Sequence, residues 1–379
     1  MSLITANEYQ SRWEVWICDQ YGARITLADN LVSFRGVRTA NNKGSFILTL
    51  PGNFDTNLLN LDGMVEFWRA PFAGAMSWVL VGFMRQFRYA EAYDGSDLII
   101  VSGPDIIDLL DRRIVAYAAG TSQASKTDYA DDMLVEIVDE NLESSATDSD
   151  RDLSGYNFSI IAGNSAAPSV SKGFAWQKVL PLLQNICEMS KTDGTDLYFD
   201  IVPYLVSNTE IGFRFTTFID QIGQDLTYDA GGNIVFGREW GNLERPIYTE
   251  DYTQEVNVVY AGGQGEGAAR NVNEEEDTTR SGASIWNRRE AFRDARNLST
   301  DAAVTDSGNA RLAEGKPKIT FTGTLLDSAQ TRYGLDWKFG DKVTATYLGK
   351  QFDGMVKSVE FGVSENKQET IKARLEVEL

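Results

Sequence analysis

Between Trp13 and Ser102 the chain is a succession of short runs rich in Val, Ile, Phe and Trp, each closed by turn residues: WEVWICD, GSFILTLP, GMVEFWRA, SWVLVGFMRQFRYA and SDLIIVSG. Runs with this composition and spacing read as an antiparallel barrel or sandwich. Within them, Asn41-Asn42-Lys43-Gly44 predicts a hairpin turn.

The texture changes at Gly103-Pro104. PDIIDLLDRRIV reads as a helical segment, and TDYADDMLVEIVDENL, from Thr127 to Leu142, as a second. In the latter Tyr129, Met133, Leu134, Ile137, Val138 and Leu142 share one helical face, with Thr127 placed as N-cap. The acidic run ESSATDSDRDLSG reads as a solvated loop, since the glycine and terminal glutamate of an EF-hand are out of register. A third helix covers AWQKVLPLLQNICEMSKTDG, where Pro181 predicts a kink, and two β-runs follow, TDLYFDIVPYL and IGFRFTTFI. From about Asn257 the pattern is mostly β again, through SIWNRREAFRDARN, a helical stretch near Asp301 to Gly315, and four closing β-runs ending in ARLEVEL. The expected fold class is mainly β with an α+β middle, divided as 1–102, 103–245 and 246–379.

Composition narrows the functions. With 42% hydrophobic and 24% charged residues over 379 positions, the chain has the apolar content to fold, into more than one core. There is no histidine, which removes the commonest general base, zinc ligand and pH switch, and excludes Ser-His and Cys-His nucleophile pairs. The two cysteines, Cys18 and Cys187, lie far apart among apolar neighbours and read as buried free thiols. A net charge of -20 opposes direct binding to a phosphate backbone, although an acidic wall lets DNA pass without sticking; many proteins are acidic simply for solubility. The start, MSLITANEYQ, lacks the basic and apolar regions of a signal peptide, and no stretch approaches the roughly 20 apolar residues of a membrane span. The expectation is a protein made and kept soluble.

NVVYAGGQGEGAARNV, from Asn257 to Val272, places four glycines in six residues after a β-run, and Gly263-x-Gly265-x-x-Ala268 fits the dinucleotide fingerprint in its Gly/Ala form. A dinucleotide site needs those glycines to open a helix inside a βαβ unit. Here they lead into a segment without amphipathic period, with Glu274, Glu275, Glu276 and Asp277 close behind. Gly262, Gly263 and Gly265 are better explained by positive φ or close backbone approach between two strands. No P-loop is present, and no cofactor is expected.

Carboxylate chemistry needs only two Asp or Glu side chains. Asp196 with Asp200, and Glu239 with Glu244, sit near aromatics suited to stacking on sugar; Trp68 and Trp240 are the aromatic candidates for glycan contact. Asp128, Asp131 and Asp132 read chiefly as the polar face of a helix. In NRREAFRDARN the residues Arg288, Arg289 and Arg296 alternate with Glu290 and Asp294, which favours intramolecular or intersubunit ion pairing over a nucleic-acid groove.

Taken together, DLLDRRIV, DDMLVEIVDENL, WQKVLPLLQNICEMSKTDGTDLYFDIV, NVVYAGGQGEGAARNV, RREAFRDARN and RYGLDWKFGDKVTATYLGKQFDGMVKSVEF resemble the tail-hub (Tal-like) proteins of long non-contractile-tailed phages. That family is similar in fold to the baseplate hubs of contractile phages. The resemblance implies two β-barrel-like tube domains per subunit with an inserted α+β region, assembled as a homotrimer continuing or closing the tail tube. It implies a non-enzymatic virion protein whose partners are the distal tail protein ring, the tape-measure protein and a tail fibre or receptor-binding protein. In that setting Gly262, Gly263, Gly265, Arg270, Arg288, Arg289, Glu290, Asp294 and Arg296 are expected at a subunit or domain contact. The ending at ARLEVEL carries the expectation that no receptor-binding or wall-digesting extension acts in cis. The alternative from another class is a virion-associated carbohydrate-binding protein or glycan depolymerase built on the Asp/Glu pairs.

Overall fold

The computed structural model describes residues 4–6, 11–116 and 124–378. The chain forms two compact units: Met1–Arg245 with Gly323–Glu376, and Pro246–Thr322 with Val377–Leu379.

In the first unit, period-2 alternation builds the β-structure. Strand Ser11–Cys18 buries Trp13, Val15 and Ile17 while Arg12, Glu14 and Trp16 turn outward. It pairs antiparallel with Met64–Ala70, which pairs in turn with Ser77–Phe83. A second sheet runs Lys350–Val363, Ser33–Thr39, Asn42–Pro51, Asp97–Pro104, Gln86–Glu91, all antiparallel. Residues far apart in sequence are therefore neighbours: Phe361 lies opposite Gly36, whose missing side chain makes room for it, since a Cβ there would meet the ring at 2.4 Å. The aromatic core between the sheets takes Trp13 and Phe67 from one and Phe34, Phe46 and Phe361 from the other, with centroids 4.9–6.4 Å apart. Rings at these separations add to their area burial.

The α+β region packs helices Ala130–Leu142 and Val179–Thr192 on the sheet formed by Phe158–Ile160, Glu210–Ile219 and Leu197–Ser207. Met133, Leu134, Ile137 and Val138 meet Leu182, Leu183, Ile186, Phe199 and Phe215 in one apolar cluster.

Several local expectations change. Thr127 is not an N-cap: Ala124–Tyr129 is a strand paired with Ser169–Phe174, and the Thr127 and Ser171 hydroxyls share a hydrogen bond of 2.5 Å. The helix begins at Ala130, and Tyr129 is exposed, not part of its buried face. Asp131 is fully buried, its carboxylate accepting from the backbone N–H groups of Asn164, Ala166 and Ala167, so it belongs to no solvated polar face. Pro181 is the third residue of its helix, where the backbone N–H has no intrahelical partner to lose, so no kink is required. Only Asp108–Arg112 of PDIIDLLDRRIV is helical, because Ile114 and Val115 pair with Lys178 and Gln177. The hairpin turn sits at Ala40-Asn41, with Asn41 at φ 54° and Thr39 paired with Asn42. In SIWNRREAFRDARN only Glu290–Asp294 is strand.

The second unit is smaller. Its sheet places Val258–Gly262 in the centre, antiparallel to Val272–Glu276 and parallel to Glu290–Asp294. Helix Asp301–Glu314 covers one face, capped by Thr300 and turning Val304, Gly308 and Leu312, four residues apart, to the strands. A Cβ at Gly308 would lie 2.7 Å from Glu275 Cγ, which explains the glycine on that stripe.

Candidate assembly surface

The glycine loop joins two antiparallel strands. Gly265 has φ +108° and Gly267 φ +55°, and a Cβ on Gly265 would stand 2.4 Å from the Ala269 carbonyl oxygen. Gly263 is extended; its Cβ would meet Val304 Cγ2 at 2.6 Å, so glycine is needed there for the helix to approach. Arg270 closes the turn, donating to the carbonyls of Gly262 at 2.9 Å and Gly263 at 3.1 Å and to Asp294 Oδ1 at 2.7 Å. The guanidinium that a phosphate would need is thus turned onto the loop's own carbonyls and Asp294.

The sheet face away from the helix carries Val272, Glu274 and Glu276 on one strand, Tyr260 on the central one, and Glu290, Phe292 and Asp294 on the third, as the register requires. Arg288 reaches across it to Glu274 at 2.7 Å, Glu276 at 3.3 Å, Glu290 at 2.7 Å and the Tyr260 hydroxyl at 2.9 Å. Hydrogen bonds to Glu274, Glu290 and Tyr260 hold its guanidinium above its usual value. Arg296, and after it Arg270, bring the Asp294 carboxyl down to about 2. Arg289 instead donates to the backbone carbonyls of Glu255 and Thr253. Phe292 is 56% exposed, under the Arg270 guanidinium at 5.2 Å.

The nine residues expected at a subunit or domain contact all lie in the second unit, in the glycine loop, in its sheet or within two residues of strand Glu290–Asp294. Sequence reading missed Tyr260 and Phe292, which give that face its apolar part, and Ile285 and Trp286, 89% and 85% exposed in the turn before Arg288. The available signal was the adjacent Ile-Trp pair inside an otherwise polar run.

The carboxylate pairs are placed differently. Asp200 is buried, bonded to Arg38 at 2.5 Å and to its own strand at Ile201 N. Glu239 is exposed and accepts from Thr346 at 3.3 Å, and Trp240 is 55% exposed. Trp68 donates its indole N–H to Glu66 at 2.8 Å and packs tilted against Trp78, ring centroids 4.1 Å apart. Glu66 is fully buried; burial pushes its carboxyl up, but hydrogen bonds from Arg24, Cys18, Trp78 and Trp68 prevail and hold it below its usual value. Trp68 is thereby committed to an internal cluster. Cys18 and Cys187 are buried free thiols, both pushed up chiefly by burial. Among the described residues no cluster of Cys, Asp and Glu is spaced to hold a metal, and no helix is long and apolar enough to cross a membrane.

Two sheets sharing a core, an α+β region and a small sheet-and-helix unit form the mainly β fold of phage tail proteins. The 43 kDa tail protein of prophage MuSo2 from Shewanella oneidensis has a similar fold, with 13% identity, TM-score 0.53, and coverage of 96% of this chain and 98% of that one. A tail protein from Neisseria meningitidis MC58 matches with 13% identity, TM-score 0.50 and 96% coverage of both chains. A chain of the lidded Francisella PdpA-VgrG complex matches at 8% identity and TM-score 0.51, over 98% of this chain and 53% of its own length. No curated protein matches by sequence. Residues 12–375 match the Siphovirus ReqiPepy6 Gp37-like protein family, and the chain belongs to that family.

Proposed function

We propose that this protein is the hub of a siphovirus tail tip, a homotrimeric ring that continues or closes the distal tail tube. In this reading it meets the distal tail protein ring above and the tape-measure protein within. Below, it anchors a tail fibre or receptor-binding protein. The carrying observation is the family match over residues 12–375, joined to a fold shared with tail proteins along 96% of the chain. The role is structural, not enzymatic. Asp200, engaged with Arg38, and Trp68, engaged with Glu66, support that reading over glycan cleavage.

In this reading the tube is built from the sheets that the strands between Ser11 and Pro104 form with Lys350–Val363, and the α+β region is the insertion. The charge of -20 suits a passage that DNA must cross without adhering. Labelled antibody against the protein, imaged on intact virions, is expected at the end of the tail distal to the head, in threefold stoichiometry by quantitative mass spectrometry. Label on the head, along the tube, or absent from virions would refute the assignment.

A further inference from the structure

Within the first unit a cavity of about 330 Å³ opens between strand Ser77–Phe83, residues Asp200 to Pro203 and the loop from Tyr333 to Phe339. That volume lies at the small end of ligand sites, which span roughly 300–1,000 Å³. Its walls are mostly apolar: Trp78, Leu80, Ile106, Ile201, Val202 and Pro203. They are also fixed. Trp78 is tied through its indole N–H to Glu66 at 3.0 Å, and the loop is held by Gly334 N donating to Trp337 O at 2.7 Å and by Arg69 donating to Tyr333 O. Walls set in advance spare a ligand the cost of ordering them.

The charged groups that line this cavity are unevenly engaged. Each carboxylate oxygen already accepts a hydrogen bond: Asp200 takes Arg38 at 2.5 Å and Ile201 N at 2.9 Å, and Asp105 takes Gly44 N at 2.8 Å and Ile107 N at 3.2 Å. Burial also pushes the Asp105 carboxyl up to about 7, which lessens its charge. The Arg69 guanidinium is spent on Glu369, Asp327 and the Tyr333 carbonyl. Arg38 is not. Among the described residues its side chain bonds to Asp200 alone, through Nη2, which leaves the N–H groups of Nε and Nη1 without an acceptor. Phe339 covers one face of the guanidinium at 4.2 Å, so what remains open is its edge. Ser11 Oγ is the one fully buried side-chain polar atom without a partner among the described residues, so the free Arg38 groups keep access to solvent, and Arg38 lines the cavity. Lys338 stands exposed at the same cavity, and among the described residues only its backbone N–H is engaged, with Asp341.

We propose that this cavity binds a small organic carboxylate, its two oxygens held by the open edge of Arg38 and by Lys338 and its apolar or aromatic body packed on Trp78 and Pro203. A planar guanidinium edge matches the two oxygens of a carboxylate. Asp200 selects for a single negative charge: it offsets one of the two cations, Arg38 and Lys338, and would repel the second charge of a phosphate. The apolar walls require that the carboxylate be carried on a body that gains from leaving water. This site goes beyond the tail-hub reading and does not depend on it.

The test titrates the purified full chain with p-trifluoromethylbenzoate and follows the probe by fluorine NMR. A saturable shift is expected, with a dissociation constant of roughly 1 mM or tighter for a ligand of this size. The neutral p-trifluoromethylbenzamide should bind about tenfold more weakly, because it cannot form the charged hydrogen bonds. Lys338→Met, at an exposed position, should weaken the benzoate by about threefold to fivefold and leave the benzamide unchanged. Val202→Trp, which fills the cavity, should abolish binding of both probes while the melting transition shows the chain still folded. No saturable shift with the benzoate, equal affinity for benzoate and benzamide, or parental affinity in Lys338→Met would overturn the site. Binding that survived Val202→Trp in a folded chain would place the probe elsewhere and overturn it as well.

Discussion

The two units hold their shape by different physics. The first buries Trp13, Phe34, Phe46, Phe67 and Phe361 between sheets and encloses the ion pairs Arg38–Asp200 and Arg24–Glu66. The second has a core centred on Val256, Val259 and Leu312, with Ala291 against it. It covers one face of its sheet with a helix and leaves the other to ion pairs radiating from Arg288 and Arg270. Burial scales with apolar area, whereas exposed pairs are weak and screened.

The sharpest way to break this comparison is Phe67→Ala. It should cost about 3–5 kcal/mol in chemical denaturation, through lost transfer energy and the cavity left among three aromatic neighbours, Phe34, Phe46 and Phe361. Hydrogen exchange should show the loss across the strands of the first unit; an effect below 1 kcal/mol would deny that the aromatic cluster is its main support.

Asp200→Ala comes next. It strands Arg38 beside Phe339, over whose ring the guanidinium lies at 4.2 Å, and should cost toward the lower end of the roughly 3–5 kcal/mol seen for broken buried pairs, because Arg38 keeps partial access to water. Equal stability of the variant and the parent would show that the pair is neutral.

Gly265→Val places a branched side chain at φ +108° against a carbonyl oxygen. It should cost about 1–3 kcal/mol, with faster exchange confined to the second unit. Global destabilisation instead would mean that the units do not unfold separately.

A pH series sharpens the contrast from the other side. Burial pushes the Asp105 carboxyl up to about 7 from 3.8, against hydrogen bonds from Gly44 N and Ile107 N. The folded state therefore holds a proton that the unfolded state has released, and this group's contribution to stability falls as pH rises from about 4 to about 7. Asp105→Asn should flatten the slope of melting temperature against pH in that window; an unchanged slope would assign it to other groups.

The smallest effect is expected for Arg288→Ala. The side chain is exposed, so the loss should be slight at low salt and vanish at high salt. A salt-independent loss would mean that the network contributes to the core after all.

Much of this was legible from residues alone. Alternation in WEVWICD marked its buried face, and the helical stripe from Met133 to Leu142 is the one that packs. The glycine loop read correctly as a turn, because steric demands at Gly263 and Gly265 are local. The sequence patterns did not reveal what depended on distant partners. Thr127 lost its capping role to a strand pairing with Ser171, forty-four residues away. Asp131 looked solvated because the three backbone N–H groups that bury it come from a loop beyond residue 163.

Sequence by itself determined the type of most long elements, the acidic balance and the absence of histidine chemistry, since these follow from periodicity and composition. Only the tertiary structure decided that Lys350–Val363 joins Ser33–Thr39 in one sheet, that Asp200 faces Arg38, and that one face of the second unit is left open. The physical reason is that side-chain pattern dictates which face of an element seeks burial, while the partner that provides it is selected by long-range packing and register.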